Sequence, residues 1–153
     1  LIGRAGQGFR RRMTARPRIL FLCTANSARS QLAEAILRDR AGDDITACSA
    51  GTDPASVHPL AIEVLEEVGI CTSGLRSTDV DEVLADGPVA LTIAVCAAAS
   101  EKCPVVAGGQ VRAWPFDDPA ACQGDEETRR EAFRTIRDQI STKIESWLAA
   151  GMP

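Results

Sequence analysis

The feature that most constrains the fold is an apolar run that ends in a cysteine and leads through a short loop into a helix. Residues 19–22 are apolar, Cys23 follows them, and residues 24–28 are small or polar. From Arg29 onward the apolar residues have helical spacing. A buried strand, a loop and a helix in this order surround one small space with backbone N–H groups and a helix N-terminus. We therefore expect this space to bind an anion.

Cys23 and Arg29 give this anion site its predicted chemistry. We expect the positive field of the loop to lower the pKa of Cys23, so that a thiolate lies beneath the bound anion. Arg29 can donate two hydrogen bonds to a tetrahedral oxyanion. The alternative is a buried structural cysteine with a surface arginine, because six cysteines and 15 arginines give about 0.6 expected matches to this spacing by chance.

Strand and helix signals alternate along the chain. Strands are predicted at 18–22, 44–48, 90–95 and 110–114. Helices are predicted at 29–40, 59–69 and 80–84, with a last one after Asp125. The residues expected on the buried faces are Ala61, Ile62, Leu65 and Val68 in the second helix, and Phe133, Ile136, Ile140, Ile144, Trp147 and Leu148 in the last.

This alternation predicts an α/β fold: a single three-layer domain over residues 17–153, with a four-stranded parallel sheet flanked by helices. In such sheets ligands bind beyond the carboxyl ends of the strands. Cys23 and Cys96 both follow predicted strands, so we expect them at the same end of the sheet.

Charge and composition limit the partners. Residues 1–16 hold five arginines and no acid, and we expect them to be a disordered basic extension, with a basic anchoring arm as the alternative. The remainder carries a net charge of −9, from 12 basic and 21 acidic residues, which argues against nucleic acid. No apolar run approaches the ~18 residues of a membrane span. We expect a cytoplasmic monomer that does not associate with membranes.

Cys96 and Cys103 form a second candidate pair. Seven residues apart on a regular helix, their Cα atoms would lie ~10 Å from each other, whereas a disulfide needs roughly 4.4–6.8 Å. A bond between them would require the segment to unwind, which predicts a redox switch; two unrelated buried thiols are the alternative. The sequence has no Cys-x2-Cys pair and His58 is its only histidine, so we expect no metal site.

Asp118 is the candidate general acid. It precedes Pro119 in a rigid turn just after the last predicted strand, near the same end of the sheet. A carboxylic acid held there could protonate a leaving oxygen. The alternative is an aspartate that is simply favoured in a turn.

These motifs together resemble a known family. The Cys23-x5-Arg29-Ser30 motif, the Asp118-Pro119 dipeptide and the strand–helix alternation resemble the low-molecular-weight protein tyrosine phosphatases, from about residue 17 to the end. Within that fold, residues 23–31, 49–52, 96–104 and 114–120 are similar to the thioredoxin-coupled arsenate reductases.

The resemblance implies a role for each matching residue. Cys23 would attack arsenate, Ser30 would hydrogen-bond its thiolate, and Asp118 would be the general acid. Cys96 would then form a disulfide with Cys23 and release arsenite, and Cys103 would take over to give a Cys96–Cys103 disulfide that thioredoxin reduces. No bound cofactor is implied. The oxyanion-binding loop would consist of Thr24, Ala25, Asn26, Ser27, Ala28 and Arg29, with Asn26 holding its shape.

Departures from the family pattern leave alternatives open. Some members bind potassium beside the loop, but this chain has Arg76 and Thr78 there, and Arg76 could itself supply the charge. Ala120 stands where the phosphatases have an aromatic residue after Asp-Pro. The alternatives are a small phosphatase, an arsenate transferase that uses a small thiol, and a redox-responsive binding module.

Overall fold

Four parallel strands form the sheet, in the order β2-β1-β3-β4. The structure is a computed structural model that describes residues 16–97 and 110–151. Leu22 pairs with Ala50 of β2 and with Ala94 of β3, which aligns the carboxyl ends of the three strands. The strands are β1 (Arg18–Cys23), β2 (Thr46–Gly51), β3 (Leu91–Ala94) and β4 (Gln110–Ala113). The predicted α/β fold with a four-stranded parallel sheet is confirmed.

Helices flank the sheet, and small or polar residues define their ends. Gly42 ends the first helix with φ +56°, a left-handed conformation that glycine adopts without steric cost. Asp125 caps the last helix by accepting a hydrogen bond from the Thr128 N–H at 2.8 Å, as predicted. The helices are α1 (Arg29–Ala41), α2 (Pro59–Glu66), α3 (Val80–Ala85) and α4 (Glu126–Ala149).

The core holds the central strands rigidly on both faces. Leu20, Phe21 and Ile93 are fully buried in β1 and β3, as expected for strands covered on both sides. The predicted stripe of α4 packs onto this core through Phe133 and its partners along the helix, while Trp147 and Leu148 at the helix end are partly buried. The carboxyl ends of β1 and β3 are therefore fixed platforms for the residues that follow them.

Two elements differ from their predicted bounds by more than one residue. Strand β2 begins at Thr46 because Gly42–Asp44 form a 3-10 turn, and it continues to Gly51. Helix α2 ends at Glu66, so that Val68 lies beyond the helix and is 50% exposed rather than on the buried face.

Some predictions concern residues outside those that the structure describes. These residues are 1–15, which belong to the predicted basic extension, and 98–109, which include Cys103. The division into an extension and a single domain stays a prediction. In the two described ranges, no helix has the length and apolar character needed to cross a bilayer.

Candidate active site

The loop between β1 and α1 turns its carbonyl groups outward. In a planar trans peptide the N–H of the next residue points opposite to the carbonyl. The N–H groups of this loop are therefore directed toward its centre, beside the N-terminus of α1, which favours an anion. The carbonyl oxygens of Cys23, Thr24, Ala25 and Ser27 accept hydrogen bonds from the backbone N–H groups of Thr52, Asp53, Ala55 and His58, at 2.9–3.2 Å.

Asn26 shapes this loop from within. It is fully buried and has φ +50°, a left-handed conformation that asparagine tolerates better than most residues. Its Oδ1 accepts a hydrogen bond from the Thr78 N–H at 2.9 Å, which identifies Nδ2 as the atom that faces the serines. Nδ2 donates to the Ser30 hydroxyl at 2.8 Å and to the Ser49 hydroxyl at 3.0 Å. The side chain thus ties the loop to α1, to β2 and to the segment before α3.

Further contacts support the loop from behind. The Asn26 carbonyl accepts hydrogen bonds from the Ser77 hydroxyl at 2.6 Å and from the Gln31 side-chain amide at 2.9 Å. Gly51 packs so closely that a Cβ there would lie 2.5 Å from the Thr24 carbonyl oxygen. Glycine is therefore required at the end of β2, because any side chain would displace the anion loop.

Cys23 is at the floor of the loop, and its pKa departs from the sequence prediction. A hydrogen bond with the Cys96 thiol and burial raise the pKa of Cys23 above its ordinary value. Hydrogen bonds from the Ser30 hydroxyl and the Asn26 backbone N–H favour the thiolate and oppose this rise. The predicted lowering of the pKa is wrong, because sequence reasoning considered the field of the loop and not a second thiol in contact with the first.

The second thiol reaches Cys23 through the sheet register. Leu22 pairs with Ala94, so the residues after β1 and β3 emerge side by side. Cys23 and Cys96 are 3% and 4% exposed. The Thr24 hydroxyl also lies 3.9 Å from the Cys96 sulfur. The structure therefore brings together two of the three predicted cysteines in a buried contact.

Arg29 and Asp118 meet across the mouth of the site. The Arg29 guanidinium donates to the Phe116 carbonyl at 3.0 Å, and its Nη2 lies 3.8 Å from the Asp118 carboxylate. Asp118 in turn caps a 3-10 turn by accepting the Ala120 N–H at 3.0 Å. Arg29 is mostly buried, while Asp118 is half exposed, with 17% and 45% of their side chains accessible. The carboxyl is thus placed beside the predicted anion site and open to solvent.

The remaining described cysteines make contacts elsewhere. The Cys48 thiol donates to the Ile19 carbonyl, and burial raises its pKa to about 11, which disfavours a reactive thiolate. Cys71 is exposed, and the Cys122 thiol donates to the Gln123 carbonyl.

Sequence reasoning missed an acidic group behind the loop. Glu34 accepts a hydrogen bond from the Ser49 hydroxyl at 3.1 Å and pairs with Arg38 at 2.9 Å. Arg76, which we expected to supply a charge beside the loop, instead directs its guanidinium to Glu82 on the surface. The signal for Glu34 was in the sequence: it is the one charged residue within the apolar stretch 32–37.

Comparisons with known proteins agree with this geometry. An arsenate reductase of Halalkalibacterium halodurans is 36% identical over 134 residues, covering 87% of this chain and 96% of that protein. A solved arsenate reductase in the phosphate-binding state is 30% identical with a TM-score of 0.73, covering 88% of this chain and 98% of that one. A thioredoxin-dependent arsenate reductase of Corynebacterium glutamicum is 27% identical with a TM-score of 0.65, covering 90% of this chain and 65% of that one.

A family model covers nearly the whole described structure. The model for the low molecular weight phosphotyrosine protein phosphatases matches residues 18–151, which include the anion loop and the Asp118 turn. The anion loop after β1, the acid after β4 and this match lead to one conclusion: the chain belongs to the low molecular weight phosphotyrosine protein phosphatase family.

Proposed function

We propose that this protein is an enzyme that reduces arsenate to arsenite through a relay of cysteine thiols, with thioredoxin as the final reductant. The observation that carries the proposal is the buried contact between Cys96 and Cys23 at the floor of the anion loop. Phosphate ester hydrolysis needs one nucleophilic thiol. Reduction of arsenic(V) to arsenic(III) needs two electrons, which two thiols supply when they form a disulfide.

In the first step the loop N–H groups and Arg29 bind arsenate, and the Cys23 sulfur attacks arsenic. An As–S bond forms and an As–O bond breaks. Asp118 donates a proton to the departing oxygen, which leaves as water, and arsenic stays in the +5 state.

The raised pKa of Cys23 is compatible with this attack. A bound arsenate dianion can accept the thiol proton, and the thiolate with the arsenate monoanion then carries the same net charge as the thiol with the dianion. The Ser30 hydroxyl and the Asn26 N–H are in place to stabilise the thiolate that results.

In the second step Cys96, as a thiolate, attacks the Cys23 sulfur. The S–S bond forms, the S–As bond breaks, and its electron pair stays on arsenic, which leaves as arsenite. Cys103 then attacks Cys96, so that Cys23 regains its thiolate and a Cys96–Cys103 disulfide remains for thioredoxin. This cycle fits the cytoplasm, where thioredoxin keeps thiols reduced.

The test is a set of cysteine variants assayed with thioredoxin, thioredoxin reductase and NADPH. Cys23→Ser should release no arsenite. Cys103→Ala should complete one turnover and accumulate a Cys23–Cys96 disulfide, while Cys96→Ala should stall before arsenite leaves. Cys71→Ser is the matched control and should turn over normally. A main disulfide that contains Cys48, Cys71 or Cys122 in peptide maps would contradict the relay.

A small phosphatase is the second candidate. Cys23, Arg29 and Asp118 suffice for phosphate monoester hydrolysis, and the 3.8 Å separation of Arg29 and Asp118 supports this alternative. Steady hydrolysis of an aryl phosphate, with no arsenite release under the same conditions, would favour the phosphatase and leave Cys96 and Cys103 without a role.

A further inference from the structure

One arginine of α4 differs from the other arginines of this helix. Arg130, Arg134 and Arg137 each form ion pairs with carboxylates, at N···O distances of 2.6–3.4 Å. Arg129 forms no ion pair with any residue in the two described ranges, although its side chain is partly buried. Its charge is therefore not offset by a neighbouring carboxylate, and the proposed reaction does not use it.

Helix geometry places Arg129 on the side of α4 that faces the anion loop. Arg129 precedes Phe133 by four residues, so the two side chains lie on the same face of the helix. Phe133 is fully buried, and its ring centroid lies 4.6 Å from that of His58. The backbone N–H of His58 donates to the Ser27 carbonyl of the anion loop at 3.0 Å. A short chain of contacts therefore joins this face of α4 to the loop.

His58 is close enough to Arg129 and to Asp118 to respond to both charges. Burial lowers the pKa of His58, the positive charge of Arg129 lowers it further, and the carboxylate of Asp118 opposes this change. Asp118 lies beside Arg29 at the mouth of the site. Arg129 therefore acts on the same small region as the two charged residues of the mouth.

The charge balance at the mouth gives this arginine a function. The Arg29 guanidinium lies 3.8 Å from the Asp118 carboxylate, which offsets its charge whenever the carboxylate is ionised. Residues 17–153 carry a net charge of −9, from 12 basic and 21 acidic residues, and such a body repels an approaching dianion. The unpaired charge of Arg129 leaves the mouth with a net positive charge.

We propose that Arg129 is a substrate-capture residue, whose charge draws a tetrahedral oxyanion dianion such as arsenate or phosphate into the anion loop and holds it there more tightly. It acts on the anion at a distance through its charge and takes no part in the making or breaking of bonds. The inference rests on the proposed function for the identity of the substrate, because arsenate is such a dianion.

The experiment measures the affinity of Arg129→Gln for inorganic phosphate as a function of salt. We expect binding about threefold weaker than in the wild type at an ionic strength of about 0.01 M, as for a cation and a dianion on the order of 10 Å apart. At about 1 M the difference should vanish, because the Debye length falls from ~30 Å to ~3 Å. His58 is the only histidine of the chain, so its NMR titration is a local reporter. Its pKa should rise in Arg129→Gln, since a neighbouring cation is lost.

Two further variants separate the local charge from other effects. Arg129→Lys keeps the charge and should match the wild type in both measurements. Arg40→Gln changes the net charge equally, but near the other end of α1 from Arg29, about 16 Å along the helix, and should weaken phosphate binding less than about 1.5-fold.

Three outcomes would overturn the proposal: unchanged phosphate affinity or an unchanged His58 pKa in Arg129→Gln, an equal loss of affinity in Arg129→Lys, or an equal loss in Arg40→Gln. Neither measurement uses arsenate reduction. A wild-type protein that binds phosphate as expected and yet releases no arsenite would contradict the proposed reductase activity alone.

Discussion

Replacement of Asn26 by alanine should destabilise the protein more than most single substitutions. Alanine in the left-handed conformation costs about 1–2 kcal/mol that asparagine largely avoids. The Thr78 N–H would lose its partner in a buried place, which costs about 1–3 kcal/mol. The Ser30 and Ser49 hydroxyls would each lose one hydrogen bond, at about 0.5–1.5 kcal/mol apiece.

These contributions give a loss of about 3–8 kcal/mol, a large part of the roughly 5–15 kcal/mol that stabilises a domain. With a urea m-value of about 2 kcal/mol/M, the unfolding midpoint should fall by about 1.5–4 M. Phosphate should also bind more weakly, since the loop N–H groups would lose their fixed orientation.

Urea unfolding of Asn26→Ala and Asn26→Gly tests this reasoning. Glycine loses the same hydrogen bonds but adopts the left-handed conformation freely, so Asn26→Gly should be the less destabilised of the two. A midpoint shift below about 0.5 M in Asn26→Ala would refute the claim that this side chain holds the loop.

Three other substitutions give distinct signatures. Cys96→Ala should lower the pKa of Cys23, because the hydrogen bond that raises it is lost, and ultraviolet titration of the thiolate would measure this; an unchanged titration would contradict the contact. His58 Nδ1 caps α2 by accepting the Leu60 N–H, and burial lowers the pKa of His58. As the pH drops below about 6.5, the unfolded state takes up a proton before the folded state does, so the free energy of unfolding falls. His58→Asn keeps a cap acceptor and should flatten that pH dependence in thermal unfolding between about pH 7 and 5. Asp118→Asn should slow the single-turnover arsenate step about a hundredfold or more while phosphate binds nearly as before, since an amide cannot donate the proton; a normal rate would remove Asp118 as the acid.

Local sequence signals were enough to predict the framework of the site. The apolar run before Cys23 predicted a buried strand. The helical spacing of the apolar residues from Arg29 onward predicted the helix that follows it. The Asp118-Pro119 pair predicted a rigid turn, which the structure places against Arg29. In each case the deciding information lies within about ten residues of sequence.

The features that sequence reasoning missed depend on contacts between distant segments. The pKa of Cys23 depends on Cys96, which lies 73 residues away in the sequence and arrives through the strand register. The support of Asn26 by Thr78 depends on how the segment before α3 folds back onto the loop. Val68 was misplaced for a simpler reason, because its helical spacing continues past the point where α2 ends.

In the proposed reaction Cys23 and Cys96 act together as the two-electron donor for arsenate. The most direct measurement is a single turnover of Cys103→Ala with arsenate, in which arsenite and the disulfide are quantified from the same sample. We expect one arsenite per protein chain and a stoichiometric Cys23–Cys96 disulfide. Arsenite release without that disulfide, or the disulfide without arsenite, would contradict it.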